Sequence, residues 1–221
     1  MASDVDRDDR PRSRTVVRAV SALLAAGILG LLAFTMRTSA RDAAEAERLV
    51  AALGVVAGSH VADVGAGNGA FTLALSKVVG PAGRVYATEI DDGKVADLRR
   101  AASRAGAANV EAVTATATDS GLPPACCDAL LLRRVYHHFT RPDETLATLL
   151  RAARPGARLA VVDFEPGGTL WPAPEGVPAD RRGGHGVDRE TVMEEFVRAG
   201  FHLLREDTQW SGRDYLILFR K

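Results

Sequence analysis

Hydrophobic and polar positions along the chain predict strands and helices in regular alternation from residue 60 onward. Short apolar runs predict buried strands, and most are followed by a longer segment whose apolar residues recur at helical spacing. The predicted strands cover 61–64, 84–89, 109–114, 128–132, 158–164, 201–207 and 213–220. Such alternation with short breaks predicts an α/β fold, in which helices cover both faces of a mostly parallel sheet. A short segment, 209–212, predicts a C-terminal hairpin that adds one antiparallel strand at the sheet edge.

The N-terminal residues follow a different pattern. Residues 1–15 are polar and highly charged, which predicts disorder. Residues 19–36 carry no charge, and as a helix rising about 1.5 Å per residue they would extend roughly 27 Å, close to the thickness of a bilayer's hydrocarbon core. We therefore expect one hydrophobic transmembrane helix within residues 16–37, which anchors a domain of residues 41–221 to a lipid bilayer. A cleaved signal peptide and a helix buried in the domain are the alternatives.

A glycine-rich turn follows the first predicted strand. Gly65, Gly67 and Gly69 interrupt the apolar run, and helical spacing begins at Phe71. Glycine accepts positive φ and has no Cβ, so the backbone of such a turn can approach a ligand closely. The unpaired N–H groups at the start of the following helix point back at the turn. This arrangement predicts a ligand pocket, and two classes of cofactor use it.

The turn satisfies one dinucleotide pattern. A dinucleotide site has Gly-x-Gly-x-x-Gly or Ala at the start of the helix and an acid about twenty residues further on, which binds the ribose. Gly65, Gly67 and Ala70 match the glycine pattern, and Glu89 is suitably placed for the acid. An NAD-dependent oxidoreductase is therefore one alternative.

A tighter pattern favours a different cofactor. Asp63 precedes Gly65-x-Gly67-x-Gly69, and Glu89 ends the second predicted strand. In this order the chain resembles the class I S-adenosylmethionine-dependent methyltransferases of small-molecule type, from about residue 42 to residue 221. The resemblance implies a Rossmann-like sheet of seven strands and S-adenosyl-L-methionine as the cofactor. It places the first acid and the glycine backbone around the methionine moiety and the second acid on the ribose hydroxyls. The cofactor-binding residues that it implies are Asp63, Gly65, Ala66, Gly67, Gly69, Glu89, Ile90, Thr116, Asp119 and Arg133.

The third predicted strand departs from this family. Small-molecule members usually carry Gly-Asp directly after it, and the Asp accepts from the adenine amino group, whereas this chain has Ala115-Thr116. Thr116 can still accept one hydrogen bond. Asp119 is a second candidate, and a third interpretation is that neither residue contacts adenine and Asp119 caps a turn.

The fourth predicted strand leads into Tyr136-His137-His138, a tract similar to the loop after the fourth strand in small-molecule members of the family. Ligands bind at the carboxyl ends of strands in open α/β sheets, so this tract is expected near the methyl-transfer site. His137 and His138 are candidate general bases, because an imidazole titrates near neutral pH. The alternative is that they only hold the loop. No metal is expected, because the pair lacks a third and fourth ligand at suitable spacing.

Three residues are candidates for substrate contacts. Tyr136 belongs to the tract after the fourth strand, and Asp163 lies at the end of the fifth. Trp171 lies in a long Gly/Pro-rich stretch, 166–186, which also contains His185. Long loops of this kind are usually functional or disordered, so the stretch is predicted to form a lid over the substrate.

Composition narrows the function further. A hydrophobic content of 47% and a charged content of 25% are typical of a globular protein, and a formal net charge of +0 gives no electrostatic reason to expect a nucleic acid partner. The adjacent Cys126 and Cys127 are interpreted as small buried residues that open a strand, with a thiol switch as the alternative. The predicted function is direct methyl transfer to the oxygen, nitrogen or carbon of a small-molecule substrate. A protein substrate and a membrane-tethered, non-catalytic cofactor-binding protein are alternatives.

The side of the membrane on which the domain lies stays open. Arginines are more numerous before the predicted span than after it, which weakly favours a domain outside the cell. S-adenosylmethionine is made in the cytosol, which favours the cytoplasmic side.

Overall fold

A sheet of seven strands runs through the structure, a computed structural model in which residues 41–167 and 185–221 are described. The strands are β1 (His60–Val64), β2 (Arg84–Glu89), β3 (Val110–Thr114), β4 (Cys127–Arg133), β5 (Ala153–Phe164), β6 (His202–Ser211) and β7 (Asp214–Arg220). Their order is β3-β2-β1-β4-β5-β7-β6. The pairs from β3 to β5 are parallel, and β7 is antiparallel to both of its neighbours. The predicted Rossmann-like, mostly parallel sheet with a C-terminal hairpin is therefore confirmed.

Helices lie between β1 and β2, between β2 and β3, and between β4 and β5, while one helix precedes β1 and one precedes β6. In the described residues they are α1 (41–53), α2 (Ala70–Val79), α3 (Asp92–Arg104), α4 (Pro142–Ala152) and α5 (Arg189–Arg198), with one short 3-10 turn, Tyr136–His138. Two of them begin at side-chain caps, since Asp91 accepts from Lys94 N–H at α3 and Asp188 accepts from Glu190 N–H at α5. Each cap satisfies one of the N–H groups that have no partner within the first turn of a helix.

Two apolar layers cover the sheet. Alternate residues of β1 and β4 point to opposite faces, so Val61 belongs to one layer and Val64 to the other. The first layer includes Leu49 of α1 and Leu75 of α2. The second includes Phe196 of α5 and residues of α4. The sheet thus buries both faces, as near-continuous apolar runs in parallel strands require.

The antiparallel strand is not at the sheet edge, and the prediction that it would be is wrong. The chain passes first to the edge as β6 and then returns between β5 and β6 as β7. Polarity explains this order. All residues of β7 except Arg220 are buried, whereas most of β6 is exposed. The more polar strand of the hairpin takes the solvated edge, where unpaired backbone groups can bind water.

The direction of the chain reverses between β1 and β4. From β1 the connections run outward to β2 and β3, and from β4 they run the other way to β5. In an open parallel sheet this switch point leaves a crevice at the carboxyl ends of the strands. Asp63, Glu89, Arg133 and Asp163 all lie at that edge, because each is the last residue of its strand or next to it.

Several predictions about the N-terminal part fall outside the described residues. The chain divides into two units, Met1–Ala44 and Glu45–Lys221, and nearly all residues of the first unit are outside the described part of the chain. This applies to the charged segment 1–15 and to the predicted span within 16–37. Among the residues that the structure describes, no helix combines the length and hydrophobicity needed to cross a bilayer. The segment 168–184, with Trp171, is likewise outside the description.

The adjacent cysteines lie where the sequence predicted them. Both are buried, and Cys127 is the first residue of β4. Their sulfur atoms are joined in a disulfide between neighbouring residues.

Candidate active site

The glycine turn is held against the end of β2 by a carboxylate. Gly67 N–H donates to Glu89 Oε1 over 2.8 Å, and Ile90 N–H donates to Oε2 of the same side chain over 3.3 Å. Glu89 is buried, so its carboxylate has a fixed position. A Cβ added to Gly67 would meet no atom within 4 Å, and the backbone here therefore faces open space. These residues fit a ligand that lies along the turn and offers donors to Glu89.

The other side of the turn is tightly packed. Gly65 has φ +67, and a Cβ added to it would collide with Cγ2 of Val135. Ala66 N–H donates to the carbonyl of Thr88 over 3.0 Å, which ties the turn to β2. Gly65 is therefore required by packing, whereas Gly67 leaves room for a ligand.

Asp63 is buried beneath the turn. Its Oδ2 accepts from Thr72 Oγ1 of α2 over 2.6 Å. Burial raises the pKa of Asp63 to about 6, while the hydrogen bond from Thr72 and the positive charge of Arg133 act in the opposite direction. Arg133 in turn donates to Glu45 of α1 over 2.8 Å, and its guanidinium lies 4.2 Å from the ring centre of Phe71.

This raised pKa makes cofactor affinity depend on pH. If Asp63 contacts the ammonium of the methionine moiety, the bound state favours its ionised form, and binding below pH 6 must release a proton. We expect S-adenosylhomocysteine affinity to be constant above about pH 7 and to fall by about tenfold per pH unit below the pKa of Asp63. Calorimetric titrations from pH 5 to 8, in buffers of different ionisation enthalpy, measure both the affinity and the proton release.

Asp63→Asn is the matched control for that experiment. This variant keeps the shape of the side chain but cannot ionise, so its affinity should be lower and nearly flat across the same pH range. If the affinity of the parent protein does not change between pH 5 and 7, Asp63 does not contact the methionine moiety.

The loop after β3 forms a turn of its own. Thr116 Oγ1 accepts from Asp119 N–H over 3.0 Å, and Thr116 N–H donates to the carbonyl of Asp119 over 2.8 Å. Asp119 Oδ1 accepts from Gly121 N–H over 2.9 Å. These contacts agree with the interpretation of Asp119 as a turn residue. Contact of either side chain with adenine stays a prediction.

A strained residue begins the loop after β4. Arg134 has φ +51, a left-handed conformation that costs a non-glycine residue roughly 1–2 kcal/mol. Three contacts hold it there. Its backbone N–H donates to the carbonyl of Val162 over 2.7 Å, and its guanidinium binds the buried Asp214 through Nε at 2.8 Å and Nη2 at 2.7 Å. Arg134 thus fixes the direction in which the chain enters the histidine tract.

His137 is held by Asp163 at the end of β5. Asp163 Oδ1 lies 2.8 Å from His137 Nδ1, and Oδ2 accepts from the backbone N–H of His137 over 3.1 Å. The exposed fractions are 1% for the His137 side chain and 0% for Asp163. A carboxylate on Nδ1 fixes the ring orientation and the tautomer, and Nε2 is then the ring nitrogen without a partner among the described residues.

His138 and His185 complete a group of three imidazoles. The ring centre of His137 lies 4.0 Å from that of His138 and 4.5 Å from that of His185. The pKa of His138 is lowered to about 4, mainly by partial desolvation of its ring and also by nearby His137 and His185. Burial also lowers the pKa of His185, with His137 as the next cause. The expectation that no third ligand accompanies the histidine pair is therefore wrong, because the fold brings His185 beside it.

Two predicted substrate residues have other partners. Tyr136 is fully buried between Phe139 and Phe196, each ring 5.0 Å away, and its hydroxyl donates to Glu195. Its prediction as a substrate contact is wrong, because the tract turns its first side chain into the core. Asp163 is also inaccessible, and it positions His137 instead of touching a substrate.

Comparisons with known proteins point to one family. Residues 62–161 match the model of a methyltransferase domain. A SAM-dependent methyltransferase from Aquifex aeolicus superposes with a TM-score of 0.66 at 25% identity, over 79% of this chain and 88% of that one. The ubiquinone/menaquinone biosynthesis C-methyltransferase UbiE of Pseudomonas putida (strain GB-1) is 32% identical over 112 residues, which are 50% of this chain and 44% of that protein. UbiE of Azotobacter vinelandii (strain DJ / ATCC BAA-1303) is 34% identical with the same coverage.

The alignments cover only part of these relatives, since this chain spans less than half the length of the two UbiE proteins. The segment that matches the methyltransferase-domain model, residues 62–161, contains the part of the sheet that carries the candidate site. It runs from β1, through the glycine turn and Glu89, to the histidine tract and into β5. The sheet order, the fit of the turn to a ligand and these matches show that residues 62–161 match a methyltransferase domain and that the chain is similar to the S-adenosylmethionine-dependent methyltransferases, whose cofactor is S-adenosyl-L-methionine.

Proposed function

We propose that the chain transfers a methyl group directly from S-adenosylmethionine to a small-molecule acceptor at the carboxyl edge of the sheet. The observation that carries the proposal is the hydrogen bond between Gly67 and Glu89, which closes the glycine turn on β2 and leaves the Gly67 backbone open to a ligand. When bound, the cofactor supplies a methyl carbon that is activated by a sulfonium charge. The protein's part is to align the acceptor and exclude water.

The positions of the candidate residues in the sheet indicate which of them bind the cofactor and which act on the acceptor. Asp63, Glu89 and the glycine backbone belong to β1, β2 and the turn between β1 and α2, and we assign them to the cofactor. His137 and His138 follow β4, on the other side of the switch point, and we assign them to the acceptor. His137 Nε2 or His138 would take the acceptor's proton, while Asp163 orients the His137 ring.

The relatives favour carbon as the methylated atom. The two UbiE proteins are named as C-methyltransferases. A carbon of a hydroxylated aromatic ring becomes a good nucleophile when the neighbouring hydroxyl loses its proton. A base beside the acceptor would serve that reaction, so we propose a hydroxylated aromatic acceptor as the first class to screen. Attachment to a bilayer through residues 19–36 stays a prediction.

Glu89→Ala tests the cofactor site without an acceptor. Loss of a charge-assisted pair of hydrogen bonds to the ribose should weaken S-adenosylhomocysteine binding by roughly 1.5–3 kcal/mol, about 10- to 150-fold. Calorimetry of the parent protein with S-adenosylhomocysteine and with NAD, side by side, should show binding of the first alone.

Glu111→Ala is the matched control for Glu89→Ala. Glu111 lies on the neighbouring strand β3, where it forms an exposed ion pair with Arg84, and its removal should leave affinity unchanged. If a folded Glu89→Ala protein and its parent bind S-adenosylhomocysteine with equal affinity, Glu89 does not bind the ribose. Binding of NAD in place of S-adenosylhomocysteine would overturn the proposed function.

A further inference from the structure

Three histidines from two separate segments meet at the carboxyl edge of the sheet. His137 and His138 follow β4, and His185 precedes α5. One nitrogen from each ring can be chosen so that the three atoms all lie within 4.8 Å of one another. The three nitrogens are thus close enough to share one ligand.

The most buried of these nitrogens has no partner among the described residues. His137 Nε2 is inaccessible to solvent and makes no hydrogen bond there. Burying an imidazole nitrogen without a partner costs free energy comparable to a lost hydrogen bond. Its other nitrogen, Nδ1, is already bound to Asp163. Nε2 is therefore the nitrogen left for a ligand on a ring of fixed orientation, and the centres of the His138 and His185 rings lie 4.0 and 4.5 Å from the centre of this ring.

The backbone around His185 is anchored at the end of β5. Val187 N–H donates to the carbonyl of Phe164 over 2.9 Å, and Gly167 N–H donates to the carbonyl of His185 over 3.3 Å. Gly186 has φ +131 and passes so close to β5 that an added Cβ would lie 2.7 Å from the carbonyl oxygen of Glu165. A glycine is therefore required at position 186, and it allows His185 to lie against the end of β5, the strand that carries Asp163.

We propose that His137 Nε2, His138 and His185 bind one zinc ion. Neutral imidazoles are common zinc ligands, and three of them with an open fourth position is a known catalytic arrangement for this ion. A ligating histidine usually donates its other N–H to a carboxylate, which is the arrangement of His137 and Asp163. The unpartnered Nε2, the carboxylate on Nδ1 of the same ring and the three neighbouring imidazoles are thus all explained by one ion.

Binding requires a small closure of the group. Zinc–nitrogen distances of about 2.0–2.1 Å in a tetrahedral site place the ligand nitrogens roughly 3.4 Å apart, somewhat closer than in this structure. His137 is fixed, but His138 is exposed and His185 is partly exposed. Rotation of these two side chains can bring their nitrogens inward without a change in the core.

Zinc binding does not depend on the proposed function. A catalytic role of the ion, however, rests on the proposed methyl transfer. A zinc-bound imidazole nitrogen cannot accept a proton, so with the ion present His137 and His138 would act as its ligands, and the ion would replace them in activating the acceptor. The fourth position would take the hydroxyl or thiol of the methyl acceptor and favour its anion. In the transfer, a bond forms between the acceptor and the methyl carbon, the bond from that carbon to sulfur breaks, and the electron pair goes to sulfur. The acceptor's proton goes to solvent.

Metal titration of the full chain, purified without a polyhistidine tag and treated with a chelator, tests the site. We expect calorimetry with zinc chloride to show one equivalent bound per chain. Cobalt(II) in place of zinc should give the visible absorption bands of a tetrahedral ion. His185→Ala should weaken zinc binding by at least about 100-fold, and Asp163→Asn by about 10- to 100-fold.

His202→Ala is the matched control, because His202 is exposed on β6 and pairs with Arg220 at the opposite end of the sheet. It should bind zinc like the parent chain. S-adenosylhomocysteine binding, measured on every variant, shows that the fold is intact and separates the two proposals. A chain that binds S-adenosylhomocysteine but no zinc overturns the metal site alone. Equal zinc affinity in His185→Ala and His202→Ala overturns it as well.

Discussion

Replacing His137 and His138 together by alanine is expected to lower turnover by about 10²- to 10⁴-fold, the usual contribution of a positioned proton acceptor. S-adenosylhomocysteine affinity should stay near that of the parent chain. The reason is position: both histidines follow β4, whereas Asp63, Glu89 and the glycine backbone that we assign to the cofactor belong to β1, β2 and the turn after β1. The same loss is expected if the pair binds a metal, because either role acts on the acceptor.

The measurement first needs an acceptor, found by screening hydroxylated aromatic compounds for uptake of a labelled methyl group. Turnover is then compared among the parent, the double variant and His202→Ala, which replaces an exposed histidine on β6. Unfolding curves and S-adenosylhomocysteine binding show that the double variant is folded. A double variant that binds the cofactor product and turns over at the parent rate would make the pair a scaffold for the loop.

Gly65→Ala should lower the free energy of unfolding by about 2–5 kcal/mol. A left-handed backbone costs alanine roughly 1–2 kcal/mol, and overpacking against a neighbouring side chain typically adds 1–3 kcal/mol. Gly65 has φ +67, and its added Cβ would collide with Val135 Cγ2. Urea unfolding followed by circular dichroism measures the change.

Two further variants isolate the collision. Gly67→Ala shares the positive φ of Gly65 but places its Cβ in open space, so only the backbone cost applies to stability. Adding Val135→Ala to Gly65→Ala should recover part of the loss, because the colliding methyl groups are removed. If Gly65→Ala and Gly67→Ala are equally stable, the close approach of Val135 to the turn does not limit the fold.

The cofactor half of the site could be predicted because its signals are local. The strand predicted at 84–89 is found as Arg84–Glu89, with the acid at its carboxyl end. Parallel pairing of β1 with β2 then brings that acid to the turn after β1, and the hydrogen bond from Gly67 to Glu89 is the result. No contact beyond neighbouring strands was needed for this prediction.

The acceptor half could be predicted only in part, because its contacts join distant segments. Nothing near His137 in the sequence indicates His185, which arrives through backbone contacts between β5 and the residues before α5. The glycine on either side of His185, at 184 and 186, was the available signal for a close approach. Tyr136 was misassigned for a related reason. Whether the first residue of a tight turn faces solvent or core depends on the helix packed over it, here α5 with Phe196.

The order of the last two strands was open for a different reason. A hairpin signal gives the turn and the antiparallel pairing, but either strand can be the inner one. The burial of β7 against the exposure of β6 decides it. The sequence itself shows this difference in polarity, since residues 202–211 are more polar than residues 214–220.

Trp210 offers an optical reporter for the helix that leads into the sheet. Its indole is 4% exposed, the guanidinium of Arg48 lies 3.7 Å from its ring centre, and its Nε1–H donates to Glu45 Oε1 over 3.2 Å. Both partners belong to α1, so the emission of this indole depends on whether α1 is docked. The chain has two tryptophans, and Trp171→Phe would leave Trp210 as a single fluorophore. A red shift of its emission that precedes the loss of sheet signal during unfolding would then show α1 detaching as a separate cooperative unit.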